Sequence, residues 1–379
     1  MENLSVRPPE THDIPLIFTV TNDLSYDQRM QRICGTLAEQ GYSVLLLGRQ
    51  RAHSSPLVWR NFQQKRLRCF FDNGLLFYAE YNLRCFFFLL FARYDAVCSI
   101  DLDTLPAGCL ATLLRRKKRV FDAHEYFTEV PEVVHRPVVR RVWGWIARIC
   151  LPFYRHAYTV GPMLAEIFTK KYNIPFLVVR NMPLRGETVQ AKKPHSSRIL
   201  LYQGALNAGR GLETLLEALP ALKNMTAWII GEGDLSEALR AQAERLQLGE
   251  QVKFWGFLPP EELKKHTAEA WLSLNLLENK GLSYYYSLAN KCFDSVQAGV
   301  PVVNMDFPEY RALHAQYDIG VLLSELTPQA LITAIQSLEQ NPAQYEILHQ
   351  NCLRARENWH WEHEKAVLLK CWEAVFKEE

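Results

Sequence analysis

The feature that most constrains this chain is an alternation along its length. Short apolar runs rich in β-branched residues are separated by longer amphipathic stretches, first at residues 16–20, 43–48, 96–100, 119–122 and 157–160. A second series follows at 199–203, 227–230, 252–255, 272–275 and 301–304, with helix-patterned segments such as 212–222 and 235–246 between them. Strand then helix, repeated, requires parallel sheets covered on both faces, because each parallel pair needs a crossover and the crossover helices pack on the sheet. Between the two series, residues 185–198 (RGETVQAKKPHSSR) have the polar, Pro- and Ser-containing composition of an interdomain linker. The pattern predicts two doubly wound α/β domains, and 379 residues suffice for two cores. The expected boundaries are 1–187, 188–358 and a last segment, 359–379.

Composition narrows the function classes. Lys+Arg 43 against Asp+Glu 41 leaves a net charge of only +2, so no global field marks a nucleic-acid binder and any basic function must be local. The nine cysteines are scattered, odd in number and without a Cys-x-x-Cys pair, which predicts reduced thiols in a cytoplasmic protein. The start, MENLSVRPPETHDIP, has no apolar core of a secretion signal, and the longest apolar run, 85–92, falls short of the roughly 20 residues that span a bilayer. The expectation is therefore a chain that does not cross the membrane.

In open α/β sheets, ligands bind beyond the carboxyl ends of the strands. Polar or Gly-rich segments stand at those places: 21–29 after the first strand, His124-Glu125-Tyr126 after the fourth, 204–211 and 231–233 in the second series. Together they predict a central cleft. The segment 202–213 (YQGALNAGRGLE) places Gly204, Gly209, Gly211 and Arg210 between a strand and a helix, as a diphosphate cradle would. An ordinary turn with a surface arginine fits that segment equally well. Gly231 and Gly233 are a weaker sign of the same kind, and neither segment matches G-x-G-x-x-G or G-x-x-x-x-G-K-[ST].

The stretch 278–308, ENKGLSYYYSLANKCFDSVQAGVPVVNMDFP, runs from a loop through a helix predicted at 287–297 into Ala-Gly-Val-Pro-Val-Val and a strand. This order resembles the donor-binding half of the retaining glycosyltransferase family 4, which has the GT-B fold. The family's hallmark is a pair of glutamates separated by seven residues, and counting back from Gly299 puts Asp294 on the second and Tyr286 on the first. Further likeness lies in 22–30 (NDLSYDQRM), in Asp122-Ala-His124-Glu125, in Arg180-Asn181 and in 202–211. Ala205 stands where the family has Arg and Arg210 where it has Lys, and Lys291 is positioned to replace the missing cation.

The resemblance implies residue roles. Gly204, Arg210, Gly231, Gly233, Tyr286, Ser287, Leu288, Asn290, Lys291 and Asp294 would bind the donor, with Asp294 on the ribose and Arg210 and Lys291 on the departing diphosphate. His124 and Glu125 would face the transferred sugar, and Asp27 and Arg29 the acceptor side. It implies retaining transfer from a nucleotide-diphosphate sugar, UDP ahead of GDP-mannose, to a hydroxyl of a glycan or lipid-linked acceptor, without metal or other cofactor. The last helix, with Trp359, Trp361, His360 and His363, would cross back to the first domain. A same-fold epimerase and a non-catalytic glycan- or nucleotide-binding homologue are the alternatives.

Two other signals invite different readings. Asp101-Leu-Asp103 spells a metal-binding D-x-D but is taken as loop residues of the acceptor domain. The basic cluster 115–119 (RRKKR), with Arg136, Arg140, Arg141, Arg148 and Arg155 interleaved by Trp143, Trp145 and Phe153, suits contact with anionic lipid, and the family resemblance implies the inner face of the cytoplasmic membrane. Inward-packed tryptophans beside solvated arginines are the plainer reading of the same residues. No nucleic-acid module is present in the sequence.

Overall fold

Two parallel sheets form, one from each series of apolar runs. The computed structural model describes residues 14–186 and 198–377, so most of the expected linker lies outside the described residues. The chain divides into two units, Met1–Arg180 with Glu364–Glu379, and Asn181–His363.

The first unit begins with β1 (Pro15–Thr19), α1 (Gln28–Glu39), β2 (Ser43–Gln50), β3 (Gln63–Arg68), α2 (Gly74–Phe91), β4 (Ala96–Ile100) and α3 (Asp101–Leu114). It continues with β5 (Lys118–Ala123), α4 (Pro131–Val134), α5 (Pro137–Cys150), β6 (His156–Thr159), α6 (Pro162–Tyr172) and β7 (Phe176–Val178). The seven strands lie in the order β3-β2-β1-β4-β5-β6-β7, all parallel. Order reverses between β1 and β4, so the loops after these two strands diverge and leave room at their carboxyl ends.

The second unit contains β8 (Arg198–Gln203), α7 (Leu212–Ala218), β9 (Met225–Ile230), α8 (Ser236–Arg245), β10 (Val252–Gly256), α9 (Pro260–Glu269) and β11 (Leu272–Asn275). Then come α10 (Leu282–Tyr285), α11 (Asn290–Gln297), β12 (Val302–Met305), α12 (Pro308–Gln316), β13 (Gly320–Leu323), α13 (Pro328–Gln340), α14 (Pro342–Ala355) and α15 (Trp361–Lys377). Its six strands run β10-β9-β8-β11-β12-β13, with the reversal between β8 and β11. The predicted helix at 287–297 is shorter than expected, because residues 287–289 form the turn that leads into α11.

From Glu364 onward, α15 belongs to the first unit. Trp372 is fully buried with its ring 5.3 Å from Phe18, and Lys118 Nζ donates to Val375 O at 2.6 Å. Glu364 accepts from Arg180 through both its main-chain N (2.8 Å) and Nε (2.9 Å), which ties the end of the first pass to the start of the second.

Among the described residues one helix, α2, is long and apolar enough to cross a membrane, although no apolar run of that length occurs in the sequence. Glu80, Asn82 and Arg84 interrupt the run without interrupting the helix. Phe77, Tyr81, Cys85 and Leu89 bury one side of α2 in the core against Ile17, Leu47 and Val97, so it lies along the sheet. The basic stretch 115–119 is less of a surface than its sequence suggests: Arg115 stacks 4.6 Å from the Tyr94 ring and donates to Leu89 O, and Lys118 is tied to Val375. Of the interleaved aromatics, Trp143 packs inward at 7% exposure, whereas Trp145 is 64% exposed.

Candidate active site

At the reversal point of the first sheet, carboxylates gather around one histidine. His124, just beyond β5, places Nε2 3.1 Å from Asp122 Oδ2, and its main-chain N donates to Asp101 Oδ1 at 2.8 Å. Its Nδ1 is 3.8 Å from Asp101 Oδ2, beyond hydrogen-bond reach, and is thus able to donate elsewhere. Burial pulls the imidazole pKa down, but Asp122 and Asp101 outweigh it and raise it to about 9. At neutral pH His124 is therefore an imidazolium, a donor of protons and hydrogen bonds rather than a base.

Asp101 and Asp103 are not loop residues, contrary to the expectation from sequence. They form the first turn of α3, which follows β4 without a break, and Asp101 takes φ +53° there. That left-handed backbone is uncommon outside glycine, and it turns the Asp101 carboxylate toward the His124 amide. Burial raises the pKa of both, that of Asp103 to about 6, and Thr21 donates to Asp103 Oδ2. The D-x-D spelling was visible in the sequence; that β4 runs straight into a helix was not.

Asp27 and Arg29 act one layer behind this cluster. Asp27 caps α1 by accepting from Met30 N at 2.9 Å and is held by Asn22 Nδ2 at 2.6 Å. Arg29 is buried; its Nε and Nη2 reach Asp122 at 3.2 and 2.8 Å, and Nη1 donates to Val179 O at 2.7 Å. Burial raises the Asp122 pKa, but Arg29 and then His124 overcome this and hold it below the usual value. Arg29 thus fixes the carboxylate that holds His124, and Glu125 next to it is exposed.

The second unit builds a different site at its own reversal point. Lys291, second residue of α11, is 8% exposed, with Nζ 3.8 Å from the centre of the Tyr202 ring. Arg210, in the loop after β8, stacks 4.7 Å from the centre of the Tyr284 ring, and its Nε is buried without a hydrogen-bond partner. Burial first, and Arg210 second, push the Lys291 pKa well below its ordinary value. Two cations close enough to disturb each other, each backed by an aromatic face, make a site that gains from an incoming anion. Glu213, at the start of α7, acts on Tyr202, and Glu278 pairs with Lys280 at 2.6 Å.

Backbone shape keeps this site open. Gly204 (φ +133°) and Gly231 (φ +137°) end β8 and β9, and a Cβ on Gly231 would lie 1.9 Å from Gly204 O. A Cβ on Gly204 would meet Lys291 Nζ at 3.4 Å, which places the lysine over the end of β8. Gly233 is packed under the Leu206–Asn207 turn and donates from its N to Ser236 Oγ at 2.9 Å.

Asp294 lies one turn after Lys291 on α11 and accepts from Gln203 Nε2 at 3.1 Å, so both residues face the end of β8. Asn290 accepts from Asn181 Nδ2 at 2.8 Å. Ser287 donates to Tyr284 O at 2.9 Å, Leu288 is buried, and Tyr310 OH accepts from Ala289 N at 2.9 Å, so these residues shape the turn into α11. Tyr286 ends α10 with its ring 5.0 Å from that of Tyr285. Tyr202 and Tyr284, the rings behind the two cations, were not among the expected site residues; Tyr202 heads the Gly-rich segment, but only the fold reveals its stacking.

Known proteins agree with this architecture. Residues 187–355 match the model of glycosyl transferases group 1. No curated protein matches the chain by sequence. Among solved structures, a sucrose-phosphate synthase from Thermosynechococcus elongatus has a TM-score of 0.81 at 15% identity, over 97% of this chain and 100% of that one. Anabaena HepE in complex with UDP-glucose has a TM-score of 0.75 at 14% identity, over 96% and 99%. The lipopolysaccharide outer core galactosyltransferase WaaB has 0.63 at 12% identity, over 96% and 98%. Residues 187–355 thus resemble the glycosyl transferases group 1, and the two parallel-sheet units, like those of the solved structures, give the chain the GT-B fold.

Proposed function

We propose that the protein is a retaining glycosyltransferase of family 4 that moves a hexose-type sugar from a UDP-sugar to a hydroxyl of a glycan or lipid-linked acceptor, in cell-surface polysaccharide or glycolipid synthesis. The observation that carries the reading is the pair of cations, Arg210 and Lys291, backed by Tyr284 and Tyr202. Glycosyl transfer from a nucleotide sugar breaks the bond between the anomeric carbon and the diphosphate oxygen, and negative charge grows on that oxygen. Side chains held in position, Arg210 as a guanidinium and Lys291 in the ammonium form that the diphosphate favours, stabilise it with little reorganisation. They serve the leaving group without calling on a metal.

In this reading Asp294 takes the ribose hydroxyls, and His124 donates from Nδ1 to the sugar or acceptor. HepE holding UDP-glucose in its solved complex supports UDP over GDP as the nucleotide. The nine cysteines are free thiols, which suits a reducing cytoplasm. The test supplies UDP-sugars with and without candidate acceptor glycans. Release of UDP that depends on acceptor supports transfer.

A second reading, a nucleotide-sugar epimerase, is favoured by one observation: Asp103, raised to about 6, shares a cluster with the acidic His124, an acid and a base within one site. Interconversion of the sugar without acceptor would distinguish it.

A further inference from the structure

α2, α3 and α5 lie together on one face of the first unit's sheet, and their outer sides are apolar. α2 and α3 run in the same direction: Asn82, midway along α2, joins Asp103 O (2.7 Å) and Ala107 N (3.1 Å) in the first half of α3, and Arg115 reaches Leu89 O (2.8 Å) near the ends of both. α5 packs beside them, with Trp143 at its middle against Tyr78 of α2 (5.1 Å) and Cys109 Sγ of α3 donating to Cys150 O at its end (3.7 Å).

A surface helix of a soluble protein turns charge outward. α2 does the opposite: Leu75, Ala79, Leu83, Phe87 and Phe91, every fourth residue, are all exposed, Phe91 at 82%. Leu110 and Leu114 on α3, and Val142, Trp145 and Ile149 on α5, extend the same apolar surface. Scattered exposed leucines need no explanation, but a stripe repeated over three adjacent helices marks an interaction surface.

The charge around it selects the occupant. Residues 136–155 contain five arginines and no acidic residue. Arg140 pairs with Glu129, and Arg136, Arg141, Arg148 and Arg155 are exposed, as is Arg116 after α3. A second copy of this chain would set arginine against arginine. A surface that offers apolar area and positive charge together finds both in an anionic bilayer, with the side chains entering the acyl boundary and the guanidinium groups at the phosphates.

We infer that the α2–α3–α5 face docks on the surface of an anionic lipid bilayer, its helices lying in the plane of the interface. The inference does not rest on the glycosyltransferase reading. It also accounts for α2 having the composition of a membrane span while half of it serves the core.

The test is co-sedimentation of the full chain with vesicles of phosphatidylcholine plus phosphatidylglycerol, against phosphatidylcholine alone. Wild type should partition to the anionic vesicles and be released by salt. Arg141→Glu with Arg148→Glu should weaken partitioning about 30-fold or more, and Phe87→Ser with Phe91→Ser about tenfold or more, each with an unchanged unfolding midpoint that shows the fold intact. Absence of wild-type partitioning, partitioning of both variants equal to that of wild type, or a dimer abolished by Phe87→Ser with Phe91→Ser while vesicle binding persists would overturn the inference.

Discussion

The main-chain N–H of His124 donates to Asp101 Oδ1 at 2.8 Å, and Asp101 accepts it from a backbone at φ +53°. A strained backbone persists when surrounding contacts fix it, at a cost of about 1–3 kcal/mol. Here the contact is with the residue whose charge Asp122 first, and the same Asp101 carboxylate second, favour. Asp101→Asn keeps an acceptor for the amide and removes the negative charge. The His124 pKa, about 9 in the native protein, should then fall toward its ordinary 6.5, as read from the imidazole proton resonances across a pH titration. An unchanged midpoint would remove Asp101 from the account.

His124 also couples pH to stability. Its folded pKa, about 9, is above the unfolded 6.5, so the folded state holds the proton more tightly. The stabilisation is full below the unfolded value and is lost as pH rises through the folded one, amounting to roughly 3 kcal/mol. Denaturant unfolding of wild type should weaken across this window, and that of His124→Ala should weaken less.

Lys291 predicts a proton taken up on ligand binding. Burial and Arg210 lower its pKa in the empty site, and a diphosphate favours the ammonium form. UDP affinity should fall as pH rises through the depressed pKa, and calorimetry in buffers of different ionisation enthalpy should register proton uptake. Arg210→Ala removes one of the lowering causes, so the fall should move to higher pH.

Two glycine substitutions should part in sign. Gly231→Ala would put Cβ 1.9 Å from Gly204 O at φ +137°, and should cost about 1–3 kcal/mol from backbone strain alone, with more from the clash. Gly144→Ala, on α5 with nothing within 4 Å of its Cβ, should stabilise by about 0.5–1 kcal/mol. Thermal unfolding of both variants decides.

The strands most legible in the sequence were those buried on both sides. All five residues of β4 are buried, so the run reads without ambiguity. β3 (QQKRLR) was missed because it is a polar edge strand, and β7 (FLV) and β13 (GVLL) because these edge strands are apolar for only three or four residues, too few to stand out as a run. In the site, Arg210, Lys291 and His124 were legible as charged residues just past strands. The Asp101–His124 contact joins residues 23 apart in sequence and depends on one left-handed backbone angle, and Arg29–Asp122 spans 93, so neither leaves a local pattern.

The central claim is that the second unit grips a nucleotide diphosphate through Arg210 and Lys291. Calorimetric titration of UDP-glucose into wild type and into Arg210→Ala and Lys291→Ala measures it directly. Saturable binding by wild type, weakened about 10²-fold or more in each variant, is the predicted result. Variants that bind UDP-glucose as tightly as wild type would contradict it.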